Sequence, residues 1–207
     1  MKKLKKTVLI FDVDGVIIDS KANMSFSWAK VQEKHFLYSI SFNKYFENIG
    51  RPFFDILKNL GIKRNFNKIR KTYEEESIKK KNMIKYYDEA ILTLKTLYKK
   101  NFILNIVTSK DLKRTKKFLN KNIKLFNSVE CNDKKIGKPD PYQINKIIKK
   151  LKVDKKNCVY IGDTHIDYLT AKNAKIDFIF AMWGYGKNYN YKYKCQNFNK
   201  LNKFINK

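Results

Sequence analysis

Short apolar runs alternate with helix-patterned segments along most of this chain, and no other feature restricts its fold as strongly. The runs are residues 8–11, 103–107, 159–161 and 178–182. Val, Ile, Leu and Phe dominate them, which predicts strands buried on both faces. Ala90, Ile91, Leu94, Leu97 and Tyr98 recur at helical spacing before the second run. Leu112, Thr115, Phe118 and Leu119 do so after it. Tyr142, Ile144, Ile147, Ile148 and Leu151 precede the third run, and Tyr168, Leu169 and Ala171 follow it. Neighbouring parallel strands need crossovers of this kind. The pattern therefore predicts an α/β fold, a parallel sheet with helices on both faces.

Residues 21–85 break the alternation. Trp28, Val31, Tyr45, Phe46, Phe53, Phe54, Ile56, Leu57, Ile69 and Tyr73 supply apolar faces at helical periods, punctuated by Gly50, Pro52 and Gly61. No buried strand is legible there. In a chain of 207 residues this segment is expected to be a small all-helical domain inserted after the first strand, with 1–20 and 86–207 forming the core. Its densely charged end, 63–85, reads as a solvated helix face. Phe198, Leu201, Phe204 and Ile205 predict a short docked helix near the C-terminus.

Composition excludes several classes. A hydrophobic share of 43% is enough to build a core, which excludes wholesale disorder. No run approaches the roughly 18 apolar residues that cross a bilayer, so no membrane association is expected. The apolar run behind the basic first six residues stops after four residues at Asp12, short of the roughly 7–15 of a signal peptide. Cys131, Cys158 and Cys195 are spaced for neither a disulfide framework nor a zinc site, which predicts a reduced, cytoplasmic protein. Lys and Arg together number 46 against 19 Asp and Glu, a net charge of +27. A polyanion partner is one reading of that excess. Lysine, however, outnumbers arginine 42 to 4 and is spread along the whole chain, whereas phosphate and base contacts favour arginine forks. Lys, Asn, Ile, Tyr and Phe, all with AT-rich codons, make up more than half of the sequence. The charge is therefore read as codon bias, which argues against nucleic acid as the partner.

The chemistry-bearing residues sit at the ends of the predicted strands, where parallel α/β sheets bind ligands. Asp12-Val13-Asp14-Gly15 follows the first. Residues i and i+2 of extended chain point the same way, so two carboxylates project together. Such a pair needs a cation or a shared proton, and it suits a nucleophile with an acid/base partner. Thr108-Ser109-Lys110 follows the second and offers hydroxyls to a phosphate, with Asp111 opening a helix behind. Gly137-Lys138-Pro139-Asp140-Pro141 holds a lysine on a stiff loop, where its ammonium can neutralise a phosphoryl group or a carboxylate. Gly162-Asp163-Thr164-His165-Ile166-Asp167 follows the third and adds two carboxylates, hard oxygen donors of the kind Mg²⁺ prefers. His165 is expected to be an exposed helix-start residue and not a ligand.

In that order the four segments resemble the motifs of the haloacid dehalogenase superfamily, most nearly the branch with a helical cap that includes phosphoglycolate phosphatases and β-phosphoglucomutases. Met182-Trp183-Gly184-Tyr185-Gly186 is similar to the final-strand loop of that family. The resemblance implies a Rossmann-like core and an Mg²⁺-dependent phosphatase acting on a small phosphorylated metabolite. It implies that Asp12 attacks phosphorus and that Asp14 is the acid/base, lending its main-chain carbonyl to the metal. Thr108, with Ser109 nearby, would hold the phosphoryl oxygens and Lys138 would balance their charge. Asp12, Asp14, Asp163 and Asp167 would make the metal site, Asp163 as a direct ligand. Gly50-Arg51-Pro52 is similar to the substrate-facing turn of the cap, which makes Arg51 the candidate for a second polar or anionic group on the substrate. The mutases carry a histidine where this chain has Met24, which favours hydrolysis over phosphomutase activity. A basic nucleic-acid-binding protein on the same fold is the third class, opposed by four intact motifs.

Overall fold

The structure, a computed structural model, describes residues 4–132, 136–187 and 189–206, so the basic first three residues lie outside it. The chain begins with Leu4–Lys5 (β1), Val8–Phe11 (β2) and Ile18–Asp19 (β3). A helical stretch follows, comprising Lys21–His35 (α1), Phe42–Phe46 (α2), Phe53–Asn59 (α3) and Phe66–Lys79 (α4). The chain re-enters the core through Lys85–Tyr86 (β4) and Ala90–Lys99 (α5). It continues with Ile103–Thr108 (β5), Leu112–Leu119 (α6), Ser128–Cys131 (β6), Tyr142–Leu151 (α7), Cys158–Gly162 (β7), His165–Ala174 (α8) and Asp177–Ala181 (β8). Lys194–Cys195 (β9), Leu201–Phe204 (α9) and Ile205–Asn206 (β10) close it.

Six strands make one parallel sheet in the order β6-β5-β2-β7-β8-β9. Alternation along each strand sorts the core into two layers. Leu9 and Phe11 of β2, Leu104 and Ile106 of β5, and Val159 and Ile161 of β7 face α5 and the C-terminal Phe198, Leu201 and Phe204. Val8, Ile10, Val107, Cys158 and Tyr160 face Ile144 and Ile147 of α7 and Ala171 and Ala174 of α8. The α/β expectation holds, with helices on both faces. Two strands escaped the sequence: β6 is half-buried throughout, without an apolar run, and β9 has two residues. The last predicted run shifts by one residue, to Asp177–Ala181.

The helices α1 to α4 pack around a cluster of their own, in which Met24, Trp28, Val31, Tyr45, Ile56, Leu57, Ile69 and Tyr73 are buried. Antiparallel pairing of β3 with β4, Ile18 against Tyr86 and Asp19 against Lys85, ties the exit and return of the chain together. The two ends of the helical stretch therefore leave the sheet side by side, directly after β2 and its carboxylates. Among the described residues no helix is long and apolar enough to cross a membrane.

Candidate active site

The registers of the sheet decide which residues meet. Phe11 pairs with Ile106 on one side and Ile161 on the other. The next turns of the chain, Asp12, Thr108 and Asp163, therefore emerge from the same rim. Asp12 stays in register through its amide, which donates to Ile161 O (2.9 Å).

Four buried charges form the floor. Lys138 Nζ lies 2.8 Å from Asp12 Oδ1 and 2.6 Å from Asp167 Oδ1, with the lysine side chain fully enclosed. Oδ1 of Asp12 has this ion pair and no further donor. Asp167 is fully engaged. Its Oδ1 receives Lys138 and lies 3.0 Å from the Tyr160 hydroxyl. Its Oδ2 accepts from the amide and hydroxyl of Thr164 (3.0 and 2.7 Å), an N-terminal capping box for α8. The expected role of Asp167 in supporting the metal site thus runs through Lys138 and Thr164.

Burial and charge separate these carboxyls. Desolvation pushes Asp12 up to about 7, against the pull of Lys138 and with the help of Asp167 and Asp14. Asp163 is raised well above the usual carboxylate range by burial and by the neighbouring Asp167 and Asp12. Burial acts on Asp167 too, but Lys138 and the Thr164 donors outweigh it and hold that carboxyl low. Burial opposes the charge on Lys138, yet Asp12 and Asp167 together keep it more basic than an ordinary lysine.

Oxygens of Asp12, Asp163 and Asp167 lie within 4.8 Å of one another. Asp163 Oδ1 is buried without a hydrogen-bond donor, while its Oδ2 accepts from the Tyr185 amide (2.7 Å). The loops around Asp163 close without side chains. A Cβ on Gly15, whose φ is +82°, would lie 2.1 Å from Asp163 Oδ2, and one on Gly184 would lie 2.3 Å from its Cβ. An orphaned carboxylate oxygen in an all-oxygen cluster, kept clear by glycines, fits a small hard divalent cation such as Mg²⁺. The side chain of Asp14 stands outside this cluster. It is paired with Lys110 Nζ at 3.1 Å and accepts the Ser20 hydroxyl.

A cavity opens above the floor, lined from the sheet side by Asp12, Asp14, Thr108 and Lys110. Met24, Tyr45, Phe53 and Tyr73 of the helical stretch line it from above. Thr108 is buried, and its hydroxyl oxygen accepts the Lys110 amide (3.2 Å), which leaves its proton free to donate. Ser109 also lines the cavity, and its hydroxyl donates to Gly50 O (2.6 Å), which ties the sheet to the helical stretch. Arg51 lines the cavity, half-buried, and forms no ion pair with another described residue. His165 is exposed beside Tyr168 and Tyr189 on the outer side of α8.

Comparison with known proteins agrees with this geometry. The model of the haloacid dehalogenase-like hydrolases matches residues 9–181. This chain belongs to that family. As a haloacid dehalogenase-like hydrolase it is an enzyme, and its motifs fall where the sheet rim gathers them. A phosphoglycolate phosphatase of Aquifex aeolicus is 28% identical over 87% of this chain and 86% of its own length. A pyrophosphatase PpaX of Halalkalibacterium halodurans is 26% identical over 81% of this chain and 80% of its own. In fold, the chain superposes on a haloacid dehalogenase-like protein of Bacteroides fragilis with a TM-score of 0.87 at 24% identity, covering 95% of this chain and all of that one. A family member from Streptococcus pneumoniae gives 0.81 at 18% identity, over 96% of this chain and 98% of its own.

The sequence reading missed several residues of the hydrolase site. Lys110 stands inside a quoted motif and Ser20 five residues beyond another, yet nothing marked their side chains as partners of Asp14. Arg114 of α6 is buried against Asp111, stacks over the Tyr73 ring at 5.4 Å and approaches Glu74 (3.9 Å). Tyr185 donates its hydroxyl to Asp19 Oδ1 (2.9 Å) and accepts the Ser20 amide (2.6 Å). Tyr185 stands in the quoted final-strand loop, and Arg114 carried a signal as one of four arginines in a lysine-rich chain.

Proposed function

We propose that this hydrolase is a phosphatase of small phosphate monoesters, working through an aspartyl phosphate on Asp12 with Mg²⁺ as cofactor. The observation that carries the reading is the Asp12 carboxylate. It is buried, has no donor at Oδ1 beyond the Lys138 ammonium, and sits at the floor of a cavity also lined by Thr108. Asp12, Asp163 and the main-chain carbonyl of Asp14 would hold the metal, with Asp167 supporting them. Bound there, Mg²⁺ would screen the Asp12 carboxylate from an incoming phosphate dianion.

Lys138 holds positive charge beside the attacking oxygen, and Thr108 has a hydroxyl proton to give a phosphoryl oxygen. Asp12 forms the bond to phosphorus as the ester P–O bond breaks. The electron pair leaves on the alcohol oxygen, which takes a proton from Asp14. Water then attacks the aspartyl phosphate and gives its proton to Asp14. The bond from Asp12 to phosphorus breaks, inorganic phosphate departs and the Asp12 carboxylate is restored. The helical stretch acts as a cap that encloses these steps. Met24 lines the cavity where the mutases carry a histidine, which favours water as the acceptor. The three cysteines are free thiols, which fits a reducing cytoplasmic compartment.

The test is turnover of 4-nitrophenyl phosphate with Mg²⁺ and after EDTA treatment, in the parent and in Asp12→Asn. Loss of the nucleophile is expected to lower kcat by about 10⁴-fold or more, and EDTA to abolish turnover. Activity surviving either change would overturn the reading. A panel including 2-phosphoglycolate, sugar phosphates and inorganic pyrophosphate would then rank substrates, since relatives carry the names of both a phosphoglycolate phosphatase and a pyrophosphatase.

A further inference from the structure

Lys110 is a buried cation that the mechanism above does not use. It is 7% exposed, although it lines the reaction cavity. Its ammonium lies 3.1 Å from Asp14 Oδ2 and 5.0 Å from the centre of the Phe118 ring. Phe118 is itself buried in the sheet core, so the ammonium rests against a fixed ring. Its main chain is fixed as well, through the amide bond to Thr108 Oγ1.

The other oxygen of Asp14 is claimed from the opposite side. Ser20 is fully buried and occupies the N-cap of α1. N-cap serines ordinarily accept an amide of their own helix. This one makes no such bond and gives its hydroxyl to Asp14 Oδ1. The Ser20 amide is in turn held by the Tyr185 hydroxyl. Each Asp14 oxygen thus has one fixed partner, one from the start of the helical stretch and one from the loop after β5.

We propose that Lys110 is a positioning residue for hydrolysis of the phosphoenzyme: with Ser20 it clamps the Asp14 carboxylate in the orientation that takes a proton from the attacking water. The proposal rests on the phosphatase reading. It assigns Lys110 to the second half of the reaction, because the ammonium and the Ser20 hydroxyl fix the direction of a carboxylate that lines the cavity. The first half, with a leaving group that departs without a proton, has no need of the clamp.

4-Nitrophenyl phosphate separates the halves, since nitrophenolate leaves unprotonated. In Lys110→Met, kcat is expected to fall about 10²-fold, while kcat/KM stays within about threefold of the parent because formation of the phosphoenzyme is untouched. Rapid mixing should show a burst of nitrophenol close to one equivalent per enzyme, and acid quenching should trap phosphorylated protein. Lys110→Arg keeps the charge and should recover most of kcat. Ser20→Ala should reproduce the burst with a smaller loss. A rise in KM with kcat unchanged would make Lys110 a substrate contact and overturn the proposal. So would equal losses in kcat and kcat/KM without a burst, or no effect. Failure of the phosphatase reading looks different, as a parent enzyme that releases no nitrophenol at all.

Discussion

The floor and the roof of the cavity are built on opposite principles. The floor is four charged side chains, Asp12, Lys138, Asp163 and Asp167, all but sealed from water. It is held by charge neutralisation among residues delivered from separate loops at one sheet rim. The roof is aromatic: Tyr45, Phe53 and Tyr73 pack with ring centres 5.0–6.4 Å apart. It is held by burial, which is non-directional and roughly proportional to area. A floor of this kind fails when one charge changes, whereas a roof of this kind tolerates changes of shape. The proposed function therefore puts chemistry in the rigid half and substrate choice in the adaptable one.

The largest expected effect belongs to the lysine of the floor. Lys138→Met leaves Asp12 and Asp167 buried without their counter-ion, and breaking a buried pair in this way costs about 3–5 kcal/mol. Urea denaturation should show that loss, and activity should vanish with it. A variant as stable as the parent would break the comparison at its root.

Asp163 sharpens it, because here removing a charge should help the metal-free protein. Asp12 and Asp163 are both raised above the ordinary 3.8 in the folded state, Asp12 to about 7. A carboxyl raised by folding holds a proton that the unfolded chain has released. For Asp12 the contribution to stability is therefore lost as pH climbs from about 4 to about 7, and Asp163 changes in the same direction. Asp167 is lowered, so its contribution is complete throughout that window and is lost only below it. Without metal, Asp163→Asn should thus melt higher than the parent at neutral pH, by a margin that shrinks towards pH 4. Added Mg²⁺ should raise the melting point of the parent, by about 2.7 kcal/mol of stability at a hundred times Kd, and leave the variant unmoved. Thermal melts across pH and Mg²⁺ concentration would check both signs, and a variant that melts lower at neutral pH would contradict the picture.

The smallest effect is expected at the roof. Arg51→Ala should leave kcat on 4-nitrophenyl phosphate unchanged and raise KM about tenfold for substrates with a second anionic group. Steady-state kinetics on 2-phosphoglycolate against 4-nitrophenyl phosphate would check it. A fall in kcat on both would move Arg51 into the floor.

How much of this was legible beforehand follows the same division. Asp12, Thr108, Lys138 and Asp163 stood out because each follows a strand run or sits on a proline-stiffened loop, and local sequence alone fixes those positions. The parallel sheet followed from the same runs. The partner of the Ser109 hydroxyl was not legible, because only the approach of Gly50, 59 residues away, determines where its proton goes. Lys110 was invisible for a related reason. One lysine among 42 acquires meaning when its ammonium meets the Phe118 ring and Asp14.

The sequence by itself determined the alternation of strands and helices, the helical insert, and the order in which carboxylates, hydroxyl and lysine meet the sheet rim. These are properties of neighbouring residues, set by periodicity and backbone stereochemistry. The tertiary structure decided which charges are dry, which carboxylate oxygen is left without a donor, and which lysine pairs with Asp14. Those outcomes depend on desolvation and on pairings across 96 residues for Asp14 and Lys110 or 29 for Lys138 and Asp167. Neither quantity exists until the chain has closed on itself.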